Sequence, residues 1–347
     1  MNNLNQIFQA DLNGIAQDLI YIYDLEFKRQ IDGLSCPLMR WLDFRLRYID
    51  PKPRQILFSD AFPKKLPKTV ETGFLHIQNL MGMGEDINPY QSKSIQRFHD
   101  ISGKQKAKRT DLLWADWNVF HLHITDVPIK SGELFSERKC SDGESWLLFF
   151  LVDNDTFALI DIREHNEDGL FSDHELISLI NHSWPDYMKQ FLLKGLIPSR
   201  RPISPQELKK LRAVGISVPI ILNGKAYFGP GLGITSAATS TRVAESADKV
   251  RYWIRKISEI ATNPEGQIQR HILDNCVKQP TLNLCITPKG LAIFSGSRYF
   301  CRKIFSSVPA GKNRQKSRDR LCLRRPDSSA SPRSDPTRGR NMGSRMT

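Results

Sequence analysis

WLLFFLVDNDTFALIDIR, residues 146–163, decides how this chain is read. Two short runs dominated by Leu, Ile, Val and Phe flank Asn154-Asp155. Runs of that length bounded by turn residues read as strands, and a two-residue link of this kind joins them as a tight antiparallel hairpin. Just upstream, Thr110 to Asp116 and Asn118 to Ile124 read as two further strands. RQILFSD (54–60) reads as a short first strand, followed by a helix from about Thr69 to Met81 that ends in GMGED. SDHE, residues 172–175, has the form of a capping box opening another helix. Residues 54–195 are therefore expected to form an α+β domain on a central antiparallel sheet with flanking helices.

The flanks follow from their own patterns. Residues 4–29 carry Leu4, Ile7, Phe8, Leu12, Ile15, Leu19 and Ile22 at helical spacing, and CPLMRWLDFRLRYI starts a second helix after Pro37. Residues 1–50 thus read as a helical pair. SRRPISPQELKK (199–210) marks a boundary and holds a second capping box, Ser204 to Glu207. Beyond it, Asn223-Gly224 between apolar runs signals a hairpin, a helix runs from about Thr241 to Ala261, and PTLNLCITPKGLAIFS supplies one or two strands. Residues 203–296 form a smaller hairpin-plus-helix module.

The chain has 347 residues, 40% hydrophobic and 25% charged, ordinary for a folded protein with a core. The six cysteines (36, 140, 276, 285, 301 and 322) show no zinc-ribbon or dithiol spacing. No apolar run is long enough to span a bilayer, and the first residues lack the basic and apolar regions of a signal peptide, so no membrane partner and a cytoplasmic location are expected. The net charge of +13 is concentrated at the end. Residues 298–347 hold fourteen Lys and Arg against three Asp, a net of +11, leaving +2 for residues 1–297. That Arg-, Ser- and Pro-rich stretch, taken from residue 297, reads as a disordered basic tail, either a nucleic-acid-binding arm or an accessory or accidental extension.

ADWNVFHLHITD, residues 115–126, carries the candidate chemistry. On a strand, His121, His123 and Thr125 share one face while Phe120, Leu122 and Ile124 share the other. Two imidazoles about 6 to 7 Å apart on an open face suit acid–base work, metal chelation or a wet structural face. The metallo-β-lactamase pattern His-x-His-x-Asp-His is not matched, and no metal or other cofactor is assigned. His165, at the end of the strand FALIDIREH, is the nearest further candidate, whereas His174 and His182 read as structural. SGKQKAKRTD places Lys104, Lys106, Lys108 and Arg109 ahead of the histidines, with Trp114 and Trp117 close by, a composition that suits phosphate tracking and base stacking. GPGLGITS (229–236) reads either as a phosphate cradle or, more cheaply, as glycines that permit a turn. No Walker loop, nucleophile elbow or His-Glu-x-x-His helix occurs.

The order of a short strand, the basic stretch FSDAFPKKL, a helix, INPYQSKSI and then antiparallel strands resembles the layout of the RelE/ParE-like toxin superfamily over about residues 54–165. That resemblance implies a ribonuclease or a gyrase inhibitor. Lys64 and Lys65 would stand at the basic start of the helix, and His121, His123, Arg138 and His165 on the sheet face and its edge. The expectation is a nucleic-acid-acting protein with RNA or DNA as partner, of the metal-independent endoribonuclease type found in toxins or phage defence. A non-enzymatic scaffold that binds a protein partner and a metal-dependent hydrolase built on His-x-His stay open beside it.

Overall fold

The computed structural model describes residues 2–167, 170, 174–196, 203–213, 215–274, 281–287, 290–295 and 298–300. In chain order the elements are α1 (Asn2–Ile22), α2 (Pro37–Arg45), β1 (Gln55–Phe58), α3 (Lys68–Met83), α4 (Ser94–Arg97), α5 (Leu112–Trp117), β2 (Phe120–Ile124), β3 (Trp146–Val152), β4 (Thr156–Glu164), α6 (Glu175–Ser183) and α7 (Pro185–Lys189). They continue with α8 (Pro205–Ala213), β5 (Ile220–Leu222), β6 (Lys225–Tyr227), α9 (Thr241–Thr262), α10 (Gln267–Asp274), β7 (Leu282–Thr287), β8 (Gly290–Ser295) and β9 (Arg298–Phe300). The class is α+β.

The expected hairpin is present. β3 and β4 pair antiparallel, Val152 opposite Phe157, and Asp153 closes the turn by accepting the amides of Asp155 and Thr156 at 2.8 and 2.7 Å. β2 adds antiparallel to β3. The sheet is not wholly antiparallel, however: its order is β1-β4-β3-β2, and β1 pairs parallel with β4. Strand direction depends on where the intervening chain crosses, which local pattern does not reveal.

Both faces of this sheet are covered. Val70, Phe74, Ile77 and Met81 of α3 pack with Leu122, Ile124, Leu148, Phe150 and Leu159. On the other face Leu147, Phe149 and Ile160 pack with Leu176, Ile177 and Ile180 of α6, and with Ile220, Leu222 and Tyr227 of β5 and β6. Burial on both sides explains why β3 is an unbroken apolar run rather than an alternating one.

Elsewhere the Asn223-Gly224 hairpin forms with φ of 50° and 71°, the left-handed pair that its tight turn requires. The Ser204–Glu207 capping box closes reciprocally: Glu207 accepts the Ser204 amide at 3.0 Å and donates its own to the Ser204 hydroxyl at 3.2 Å. α1 stops at Ile22, short of residue 29, because Asp24 adopts φ 51° and turns the chain away. Phe8 and Leu12 of α1 share a cluster with Ala247 and Ile254 of α9 and with Leu282 and Ile293 of β7 and β8. Among the described residues no helix is long and apolar enough to cross a membrane. Ser172 of the expected first capping box, and residues 301–347 of the expected tail, lie outside the described residues; residues 298–300, assigned to that tail, form β9.

Candidate functional site

Residues 110–116 do not form the expected strand. Asp111 accepts the Trp114 amide at 3.1 Å and so caps the six-residue helix α5, which ends at Asn118 with φ 58°. The cap is the signal that outweighs the aromatic, strand-like composition of LLWADW. Trp114 and Trp117 are buried in the cores on opposite faces of the sheet, so neither is a stacking platform for bases.

The glycines of GPGLGITS hold α5 in place. The Gly231 amide donates to the Asp116 carbonyl and the Gly233 amide to that of Ala115, both at 3.0 Å, while the Leu232 and Ile234 amides go to Gly229 O and Ser217 Oγ at 3.1 Å. A Cβ added to Gly229 or Gly231 would stand 2.0 Å from Asp116 O or 2.1 Å from Ala115 O. Close backbone approach, rather than a phosphate, accounts for these glycines, and the amides a phosphate would need are already committed.

α5 and the edge strand β2 together form one wall of a cleft of about 300 Å³. Asp111 Oδ2 lies 3.4 Å from His121 Nδ1, both side chains 14% exposed. The His121 and His123 rings are 6.3 Å apart and crossed at 80°, and His123 stacks on His165 at 5.6 Å and 24°. Strand alternation therefore places the two β2 histidines together as expected, and the turn after β4 brings His165 beside them. The face is not wet: across β3, His121 sits opposite Phe149 and His123 opposite Leu147, and His123 is 3% exposed with its Nδ1 buried and unpartnered. Exposed Arg138, from the loop between β2 and β3, lines the same cleft.

Two further residues, invisible as a pair in the sequence, complete the wall. Arg47 follows α2, is buried, and donates from Nη1 to His99 Nδ1 at 2.6 Å. Its Nε donates to Asp43 O at 3.0 Å, its Nη2 pairs with the Asp43 carboxylate, and its guanidinium lies over the Trp114 ring at 5.6 Å. Arg40, fully buried, donates to the carbonyls of Glu26, Ile95 and Gln96 at 2.8, 3.0 and 3.1 Å, anchoring the segment that presents Ser92, Ser94 and His99 to the cleft. Burial pushes the Asp43 carboxyl up, and the two guanidinium groups oppose it. Burial likewise pulls Arg40 down to about 10.

The imidazoles are held neutral. Burial, reinforced by His121 and then Arg138, lowers His123 to about 3. Burial, then Arg47, lowers His99 to about 2. His121 is also lowered by burial, but Asp111 opposes the shift. The result is a row of uncharged imidazoles between two guanidinium groups, with one imidazole oriented by a carboxylate. Neutral imidazoles accept protons, and the guanidinium charges favour an anion. Among the described residues no three His, Cys, Asp or Glu side chains come together as metal ligands.

The basic residues separate from this cleft. Lys64, Lys65, Lys104, Lys106 and Lys108 are exposed, and none lines it. Arg109 is a correction: it is 4% exposed and donates to Gly103 O at 2.9 Å and Ala237 O at 2.5 Å, so it ties loops together instead of meeting phosphate. His182 is exposed, 3.9 Å from the Asp60 carboxylate. No protein-family model, curated protein or solved structure matches the chain.

Proposed function

We propose that this cleft carries out acid–base cleavage of an RNA phosphodiester without needing a metal ion. The observation that carries the reading is the Asp111–His121 pair at 3.4 Å, in a cleft that also presents His123, His165 and the exposed guanidinium of Arg138. A carboxylate against one imidazole nitrogen fixes the ring and favours the protonated form that arises when the ring acts as a base. His121 takes the proton from the ribose 2′-hydroxyl. The resulting oxygen attacks phosphorus, the 5′-oxygen leaves with a proton from His165, and a 2′,3′-cyclic phosphate remains on the upstream fragment. Arg138 offsets the negative charge that builds on the non-bridging oxygens. The order β1, α3, then three antiparallel strands supports the same chemistry through its likeness in layout to the RelE/ParE-like toxins.

The test is incubation of the full chain with a labelled RNA in the presence of EDTA, with products analysed for cyclic phosphate ends. Cleavage is expected, reduced at least about 100-fold in His121→Ala and about 10-fold or more in Arg138→Gln. Absence of cleavage, undiminished cleavage in His121→Ala, or complete inhibition by EDTA would each sink the proposal.

A further inference from the structure

A second cleft, of about 150 Å³, shares only Phe120 with the lining of the histidine cleft. Asp50, Arg54, Asn118, Asp153 and Arg242 supply its polar lining. Its two cations are spent unevenly. Arg54 donates to the carbonyls of Asp153 and Asp50 at 3.0 and 2.9 Å and lies over the Phe157 ring. Arg242, partly buried in the first turn of α9, donates from Nη1 to the side-chain oxygen of Asn118, and among the described residues no carboxylate pairs with it. A guanidinium offers five N–H donors in a planar fork, so most of its capacity faces the cleft unclaimed. Burial pulls the Arg242 guanidinium down, the signature of a cation withdrawn from water.

The cleft also has an unclaimed acceptor. Asp50 Oδ2 is held by Arg45 at 2.8 Å, but Asp50 Oδ1 is buried without any partner. Leaving a buried carboxylate oxygen unpaired costs free energy that a donor would recover. One wall therefore lacks an anionic acceptor and another lacks a cationic donor. A phosphate would satisfy the first and be repelled by the second, since Asp50 and Asp153 balance Arg54 and Arg242. The volume is below that of pockets for drug-sized ligands. We propose that this second cleft binds a small zwitterion of the α-amino-acid class, its carboxylate on Arg242 and its ammonium on Asp50. This site stands independently of the chemistry assigned to the histidine cleft.

Isothermal titration of the full chain with glycine, L-alanine and L-serine, against acetate, methylammonium and inorganic phosphate, tests it. At least one amino acid is expected to bind about 10-fold or more tightly than acetate, methylammonium and phosphate. Arg242→Gln and Asp50→Asn are each expected to weaken that binding by about 10-fold or more, which corresponds to the loss of one charge-assisted contact. Because Arg242 also holds Asn118, Asp50→Asn decides the matter if Arg242→Gln does not fold. No binding of any amino acid, phosphate or acetate binding as tightly as the amino acid, or undiminished binding in Asp50→Asn overturns the proposal.

Discussion

Replacing Gly231 with alanine strikes the contact that holds α5, and through it Asp111, in position. The added methyl group would lie 2.1 Å from Ala115 O, 2.6 Å from Ala115 C and 2.9 Å from Trp114 O. Ordinary carbon–oxygen contact requires the two backbones to part by roughly 1 Å. The bonds from Gly231 N to Asp116 O and from Gly233 N to Ala115 O, each 3.0 Å, are then too long to survive. Two lost bonds at about 1 kcal/mol each, with about 1 to 3 kcal/mol of overpacking, give a destabilisation of about 3 to 5 kcal/mol. Gly14→Ala is the matched control. Gly14 is exposed within α1 and an added Cβ meets nothing within 4 Å, so the same change there is expected to stabilise by about 0.5 to 1 kcal/mol. Urea unfolding of the full chain measures both as shifts in midpoint at constant slope. A cost below about 1 kcal/mol for Gly231→Ala would refute the claim that the glycine run exists for close approach to α5.

Asp111→Asn keeps an effective helix cap but removes the charge that opposes burial at His121, so the His121 pKa is expected to fall further in an NMR titration. An unchanged or raised value refutes the pairing. Stability is expected to decline as pH drops below about 6.5, where unfolded histidines take up protons that folded His123 and His99 exclude until about 3 and about 2. The slope contributed by each is up to about 1.4 kcal/mol per pH unit, and His123→Gln should flatten the urea midpoints between pH 6.5 and 5; a profile as steep as wild type counts against its burial as a neutral ring. Arg109→Gln is expected to cost about 2 to 4 kcal/mol by leaving Gly103 O and Ala237 O without their charged donor. Joint replacement of Lys104, Lys106 and Lys108 by Gln should change stability by less than about 1 kcal/mol, because all three are exposed; equal costs for the two variants would reverse the assignment of Arg109 to the fold.

The elements legible in the sequence are those whose signals are local. Asn154-Asp155 and Asn223-Gly224 announce hairpins through turn chemistry, Ser204 and Glu207 announce a helix through reciprocal capping, and the stripe Val243, Ala247, Ile254 and Ile257 announces α9. α5 was open to the same kind of reading, because Asp111 caps it, but six residues rich in Trp and Leu satisfy strand and helix patterns alike. Alternation on β2 places His121 and His123 on one face, yet says nothing of Phe149 and Leu147 opposite them, which turn an open face into a lined cleft. Arg47, His99 and Asp111 are brought to that cleft by three separate segments, and only tertiary packing makes them neighbours. Arg109 shows the converse: inside a basic run, one cation can be a structural tie while its neighbours stay in solvent.

The two arginines at the histidine cleft differ in their exposure to dissolved salt. Arg138 is exposed, so mobile ions gather around it and shorten its reach to about 8 Å at physiological ionic strength. Arg47 is 2% exposed and pinned between Asp43 and His99, where counterions do not penetrate. Raising ionic strength should therefore slow the capture of an anion from solution while leaving the field on the buried rings nearly constant. Encounter with the cleft and chemistry within it would then separate along a single experimental variable.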